Sequence, residues 1–499
     1  MQNYPIFSYH AFLFPFRWES KKKNEIELFK SALQNAGWAY RPFRINTEKD
    51  YNEFVYFYEY ARDALYNTEN EFKPNQTTYH FEYPLQNGKY IIKIKDRETP
   101  LQLDIESVSL KLYETGIAIL SFQTENKIYP KKADIKLIND YGRRIYPQFL
   151  PLDAVQETFL AEYIEIKADK LALKETFAGY ADIRFDLTQN QNPAYLPEFI
   201  SGLLGDAFTN NRNENDKFFV DPVIDDRMYV ICWYGNDEEA KRLSRFDNET
   251  KKYVYASDPF WHELIFIDGK EASCTSETML PELLENHTYN RWAGQATLFG
   301  ISRYSFILLT KRGWFPENIL LTHLKTMYHQ LVVLTLAQRA SVLNFSKRVT
   351  EISKLEGEMA NKISRLHKDF IRFINKMYFN EVTAQEQGIE LYSMMLKIMN
   401  IKENVRDAEN EINALHDFAE LEQNKKTNRA VHMITLIGLY LLLPTFVTGF
   451  FGMNIFNNTW LQWNKHRPEM LIVYFIGSLA VAGIIHFFIH IKNKRNATK

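Results

Sequence analysis

Two stretches near the C-terminal end carry no Asp, Glu, Lys or Arg: Ala430–Asn464 and Met470–Ile491. Within the first, Val431–Met453 is almost wholly apolar. Each is long enough to cross about 30 Å of hydrocarbon at about 1.5 Å per helical residue, and nothing earlier in the chain compares. The sequence therefore predicts two transmembrane helices, over 430–454 and 470–491, joined by an extracytoplasmic loop over 455–469. Lys425, Lys426 and Arg429 precede the first, while Lys492, Lys494, Arg495 and Lys499 follow the second in a basic tail, 492–499. An excess of cations marks the cytoplasmic side, so both termini are expected in the cytoplasm. Lys465 and Arg467 in the loop are a weaker signal of the opposite sense.

The rest of the 499 residues is ordinary globular material. Mean hydropathy is −0.36, which excludes a protein built mostly of lipid-facing helices. Net charge is −2, so no global basic field points to direct nucleic-acid binding. Cys232 and Cys274 are too few for a disulfide framework or a four-cysteine zinc site, and are expected to be free thiols. Met1–Phe16 is aromatic, lacks a basic start and is broken by Pro5 and Pro15, so it does not read as a signal peptide.

Between Pro316 and Pro444 there is no proline, and glycine occurs only at 357, 388 and 438. This composition predicts long helices, with breaks near Asn344–Ser346 and Asn380–Gly388. Leu391, Met394, Ile398, Ile401, Val405, Ala408, Ile412, Leu415 and Ala419 alternate at spacings of three and four, a coiled-coil or bundle seam. No breaker separates the seam from Val431, so the stalk, 313–429, is expected to run on into the first apolar stretch.

Residues 1–312 mix strand and helix signals, a cytoplasmic α/β domain. Thr78–Tyr83 and Tyr90–Lys95 flank Asn87-Gly88 as a predicted hairpin, and Leu101–Tyr113 and Ile117–Phe122 flank Thr115-Gly116. Met228–Trp233, Glu263–Ile267 and Ser305–Thr310 read as further strands. Lys22–Ala36, Asp50–Tyr66, Val155–Leu171 and Leu196–Ala207 read as helices. Asn210–Lys217 reads as a loop or subdomain boundary, and the 15% aromatic content predicts a ring-filled core.

Enzymatic signatures are absent from the sequence: it has no phosphate loop, no G-x-G-x-x-G and no H-E-x-x-H. Asp221, Asp225 and Asp226 read as solvated loop carboxylates, and His262-Glu263 as a capped histidine. His486 and His490, four residues apart, read as interfacial or bundle-facing groups rather than metal ligands. No enzyme is predicted.

The first apolar stretch closes on Pro444-Thr445-Phe446-Val447-Thr448-Gly449-Phe450-Phe451-Gly452-Met453-Asn454. Gly452-Met453-Asn454 at the end of the first of two C-terminal spans, after a long proline-free helix, resembles the CorA family of divalent-cation channels. The resemblance covers about Pro316–Lys499 in architecture. It implies a funnel-shaped homopentamer in the cell inner membrane, with first spans lining a pore that passes Mg2+, with Co2+ and Ni2+ as further permeants. Gly452, Met453 and Asn454 are then the selectivity filter. Mg2+ sheds water reluctantly, so neutral oxygens such as the Asn454 amide suit its hydrated form.

Counting back from Gly452 in alternating threes and fours gives a pore face: Gly449, Thr445, Leu442, Gly438, Thr435, Val431, Asn428, Asn424, Leu421 and Asp417. Leu442 and Val431 would be apolar constrictions that gate by dewetting. Packing of both against lipid or a neighbouring helix is the alternative. Asp417 belongs to an acidic stretch with Glu403, Asp407, Glu409, Glu411, Glu420 and Glu422, and would meet Mg2+ at the cytoplasmic mouth.

The sequence also departs from the family. Phe451 stands where the family usually has tyrosine, and the Met-Pro-Glu of its loop is reduced to Pro468-Glu469 behind an insertion with Trp460 and Trp463. The large aromatic-rich N-terminal domain is similar to that of CorA-like proteins accompanying type III CRISPR systems. That similarity implies a channel opened by a nucleotide second messenger, including conjugates of ATP with S-adenosylmethionine, in antiviral defence. Two other readings stay open: a membrane-anchored receptor without transport, and efflux as in zinc-exporting relatives.

Overall fold

A computed structural model describes residues 5–20, 25–74, 76–95, 97–146, 160–177, 196–211, 213–214, 216–354, 359–452, 472–473, 475–481, 483–484 and 486–487. The chain divides into two units, Met1–Leu355 with Arg365–Ile412 and Glu356–Ser364 with Asn413–Lys499.

The first unit is built on one sheet, fourteen-stranded among the described residues. Ser8–Glu19 lies at its middle, antiparallel to Ile117–Asn126 on one side and to Tyr229–Gly235 on the other. Beyond Tyr229–Gly235 come Ser305–Thr310, paired in parallel, and Thr297–Ile301. Beyond Ile117–Asn126 the order is Leu101–Tyr113, Lys89–Lys93, Tyr163–Ala168 and Leu171–Thr176. The two-residue period of a strand puts Phe12, Phe14, Phe16 and Trp18 on one face, where all four join one apolar cluster. Rings interlock there at centroid distances suited to tilted and edge contacts: Trp18–Phe29 at 4.5 Å and Phe29–Phe218 at 5.1 Å. The aromatic core expected from composition is this cluster. Cys232 is buried within it, and both cysteines are free thiols.

The other face of the sheet is covered by the helix His329–Ser353, packed on Ser8–Glu19 and Ile117–Asn126. Two π-helical turns, Pro316–Leu320 and Leu324–Tyr328, lead into it. Met359–Lys376, Glu386–Ile398 and Ile401–Gly452 complete the long helices.

Several sequence expectations need correction. The strands Thr78–Tyr83 and Lys89–Lys93 do not pair with each other across Asn87-Gly88. Both pair with Leu101–Tyr113, the first along Val108–Tyr113 and the second along Leu101–Asp104. Asn87 does take a left-handed φ of 52°, but a partner thirteen residues long holds the two strands end to end, with its bulge at Ile105/Ser107 opposite the turn. Glu263–Ile267 is not a strand. It lies in and at the end of the helix Pro259–Phe266, started by the Asp258 cap and Pro259 and stopped by Ile267 at φ 59°. The described part of Val155–Leu171 is strand, Tyr163–Ala168 pairing with Leu171–Thr176; residues 155–159 lie outside the described residues. Asp50–Tyr66 is two helices, Glu48–Tyr56 and Glu59–Leu65, parted where Phe57 bridges to Thr383.

No break occurs at Asn344–Ser346. The helix runs on to Ser353, because the Asn344 amide donates outward to the Thr115 carbonyl at 3.1 Å instead of competing for its own backbone. The seam is not one helix either. Asn400, at φ 54°, separates Glu386–Ile398 from Ile401–Gly452. Asp221, Asp225 and Asp226 are not solvated: Asp221 sits 2.8 Å from Arg17, Asp225 lies 2.6 Å from Arg227, and Asp226 is 4% exposed. A run of carboxylates beside a proline looks like a loop in sequence, and only tertiary contact brings the arginines.

Candidate functional site

The helix Ile401–Gly452 spans 52 residues without interruption, so the stalk does continue into the first apolar stretch. Its first turns are held by apolar contacts: Ile401, Val405, Ala408 and Ile412 are buried, while Glu403, Asp407, Glu409 and Glu411 between them point outward. Beyond Arg429 all formal charge stops, and the helix carries the one stretch among the described residues long and apolar enough to cross a membrane by length and composition.

The polar residues inside that stretch are satisfied by the helix itself. Thr435 Oγ1 donates to the Val431 carbonyl at 2.8 Å and Thr445 Oγ1 to the Leu441 carbonyl at 2.7 Å. Pro444 lies inside the helix and removes one backbone donor, yet the helix continues through it.

Every described member of the sequence-derived stripe is exposed: Asp417, Leu421, Asn424, Asn428, Val431, Thr435, Gly438, Leu442, Thr445 and Gly449. At about 100° per residue these ten fall within an arc of about 120°. Leu421 is 60%, Val431 55% and Leu442 64% exposed, large for apolar side chains. An added Cβ at Gly438 or Gly449 would meet nothing within 4 Å. Another face of the same helix is partly covered. Pro444 is buried and Leu436, Leu439 and Tyr440 are half-buried, centred roughly 130° round the axis from the stripe. Tyr440 approaches His486, hydroxyl to Nδ1 at 3.3 Å, and Ser478 is buried; the described residues of the second apolar stretch are helical. His486 thus faces a neighbouring helix, while His490 lies outside the described residues.

Gly452 is the last described residue of the helix. Met453, Asn454 and Pro468-Glu469 lie outside the described residues. Among the described residues no three His, Cys, Asp or Glu side chains converge as a metal site. In the acidic stretch, Glu422 pairs with Lys425 at 2.9 Å, and that hydrogen bond holds its carboxyl below the ordinary value.

Elsewhere, inside the helix Pro259–Phe266, His262 Nδ1 lies 3.2 Å from Asp268 and Glu263 pairs with Lys136 at 2.6 Å, both contacts within the fold. Burial pushes the Asp226 carboxyl up, against the pull of Arg227 and Arg144. A buried cation that sequence reading passed over is Lys111, set between Leu110 and Leu112 in a strand end otherwise apolar but for Ser109. A lone lysine inside such a run is the signal that could have found it.

Residues 321–494 match the family model described as CorA-like Mg2+ transporter protein. The cobalt/magnesium transport protein CorA of Thermotoga maritima is 26% identical over 144 residues, 28% of this chain. The match spans 37% of that relative's length.

Proposed function

We propose that this chain, whose residues 321–494 resemble a CorA-like Mg2+ transporter domain, conducts Mg2+ or another divalent cation through a membrane pore lined by the helix Ile401–Gly452. The observation that carries the reading is the two-faced character of that helix. On one side Tyr440 reaches His486 of the second apolar stretch and Pro444 is buried; the stripe from Asp417 to Gly449 is exposed and mixes polar with apolar positions. Thr435 and Thr445 in register with Gly438 and Gly449 suit a water-filled lumen between copies of the helix, where hydroxyls bonded to their own backbone can also meet water.

In this reading five chains surround the axis and each crosses the membrane twice, with both termini in the cytoplasm. Val431 and Leu442 form apolar rings, Asn424, Asn428, Thr435 and Thr445 polar ones, and the Asp417 ring gathers cations at the cytoplasmic mouth. Gly452, Met453 and Asn454 close the far end, with carbonyl and amide oxygens for a hydrated ion. No covalent step is involved. The membrane potential supplies the drive, about 4.6 kcal/mol per 100 mV for a divalent ion.

Cysteine substitution tests the lining. Thr445→Cys and Leu442→Cys should make flux sensitive to a charged thiol reagent, while Ile437→Cys, exposed but off the stripe, should not. Equal sensitivity at all three positions would contradict the assignment.

A further inference from the structure

The sheet unit holds a pocket of about 740 Å³, within the range of small-molecule sites. It lies between the segment from Tyr40 to Asp50, the strands Thr78–Tyr83 and Leu101–Tyr113, and Gln330 at the start of the helix His329–Ser353. An adjoining pocket of about 180 Å³ shares Phe43, His80, Glu82, Lys111 and Gln330 as lining.

The floor carries an unusual charge. Lys111 is 8% exposed, and its ammonium has three protons to place. One goes to the Leu65 carbonyl at 2.7 Å and one to the Gln330 side-chain carbonyl, both neutral. Among the described residues no carboxylate lies within ion-pair distance. The nearby Glu53 instead accepts from Tyr66 Oη and Gln330 Nε2, each at 3.0 Å. Burial lowers the Lys111 ammonium to about 8, with the nearby Glu53 pulling the other way from beyond ion-pair distance.

The pocket's own carboxylates are engaged elsewhere. Asp50 accepts the backbone amides of Asn46 and Thr47, and Glu82 faces Arg41 at 3.7 Å and His80 at 3.5 Å. Arg44 lines the mouth, exposed, with no ion-pair partner among the described residues. The wall is aromatic, with Phe43 and Tyr66 rings 4.4 Å apart.

We propose that this pocket binds a small organic anion, a phosphate ester or carboxylate on an aromatic body, with Lys111 at its floor and Arg44 at its mouth. The anion would take the third Lys111 proton and supply the missing counter-charge, while Phe43 and Tyr66 pack its body. Because Gln330 holds Lys111 directly, occupancy would also fix the start of the long helix against the sheet. The inference stands apart from the transport reading, since binding can be measured without flux.

The test is calorimetry on the full-length protein in detergent at pH 8, with phenyl phosphate and benzoate as probes, in two buffers of different ionisation enthalpy. Both probes are fully ionised there, whereas burial depresses the Lys111 ammonium, so binding should draw a fraction of a proton onto the protein. Tighter binding of phenyl phosphate identifies the phosphate source, and of benzoate the carboxylate. Arg44→Gln should weaken binding about tenfold, as loss of a charge-assisted contact does. Lys111→Met should abolish the proton uptake. Arg44 is exposed, so its variant carries the test even if Lys111→Met fails to fold. The proposal is overturned if neither probe binds at millimolar concentration, if binding takes up no proton, or if Arg44→Gln binds like the parent.

Discussion

At the scale of single residues, the sheet unit keeps two histidines neutral by burial. His10, fully buried, sits 2.7 Å from both Ser8 Oγ and Asn139 Oδ1, and desolvation lowers it to about 4. His329, beside Ser121 at 3.4 Å, is lowered to about 3 by burial, with Lys111 and His80 adding repulsion. The unfolded chain binds protons on these groups below its ordinary value of 6.5, and the folded chain does not. Their contribution to stability is therefore complete above pH 6.5 and lost as pH falls toward about 4. Thermal melts of the full chain in detergent should show a lower Tm at pH 5.0 than at pH 7.5, on the order of 2 kcal/mol per histidine. His329→Gln should shrink that difference; an unchanged one would mean the ring is hydrated in the folded state. None of this was legible in the sequence. His10 reads as one polar residue in an aromatic strand, and its partner Asn139 lies 129 positions away.

At the scale of elements, legibility follows whether a signal is local. Ser305–Thr310 and the pair flanking Thr115-Gly116 emerged as read, because apolar runs bounded by turn residues decide them. The turn at Asn87-Gly88 misled because partner choice is not local: a long neighbouring strand outcompeted the hairpin. Of the heptad seam, Leu391, Ile401, Val405, Ala408 and Ile412 are buried, but Met394, Ile398, Leu415 and Ala419 are only half-buried, and the seam did not show the turn at Asn400 that divides it. In the helix Ile401–Gly452 the seam still sets the energetics. Ile412 is fully buried while its neighbour Glu411 is exposed. Ile412→Ala should destabilise the protein by about 2–4 kcal/mol, whereas Glu411→Ala should stay within about 0.5 kcal/mol. Equal Tm values for the two variants would show that the seam does not bear on stability.

At the scale of the molecule, the near-zero net charge conceals its arrangement. An acidic outward face on the first turns of Ile401–Gly452 gives way to a basic collar at Lys425–Arg429 and then to a helix with no charge. That order was legible because it is a matter of composition along the chain, with no need of tertiary contacts. The stripe was legible only as a periodicity: its ten residues share one face and are exposed in the single chain, but so are Met433 and Ile437 off it. The Lys111 pocket was not, because it joins residues from Tyr40 to Gln330 that only the fold assembles. The proposed conduction by this stripe and by Asn454 is tested most directly by Mg2+ entry into dye-loaded proteoliposomes under an inside-negative potential. The account predicts saturable, potential-driven entry with the purified protein, lost or deregulated in Asn454→Ala. Entry no greater than in protein-free vesicles, or identical flux in Asn454→Ala, would contradict it.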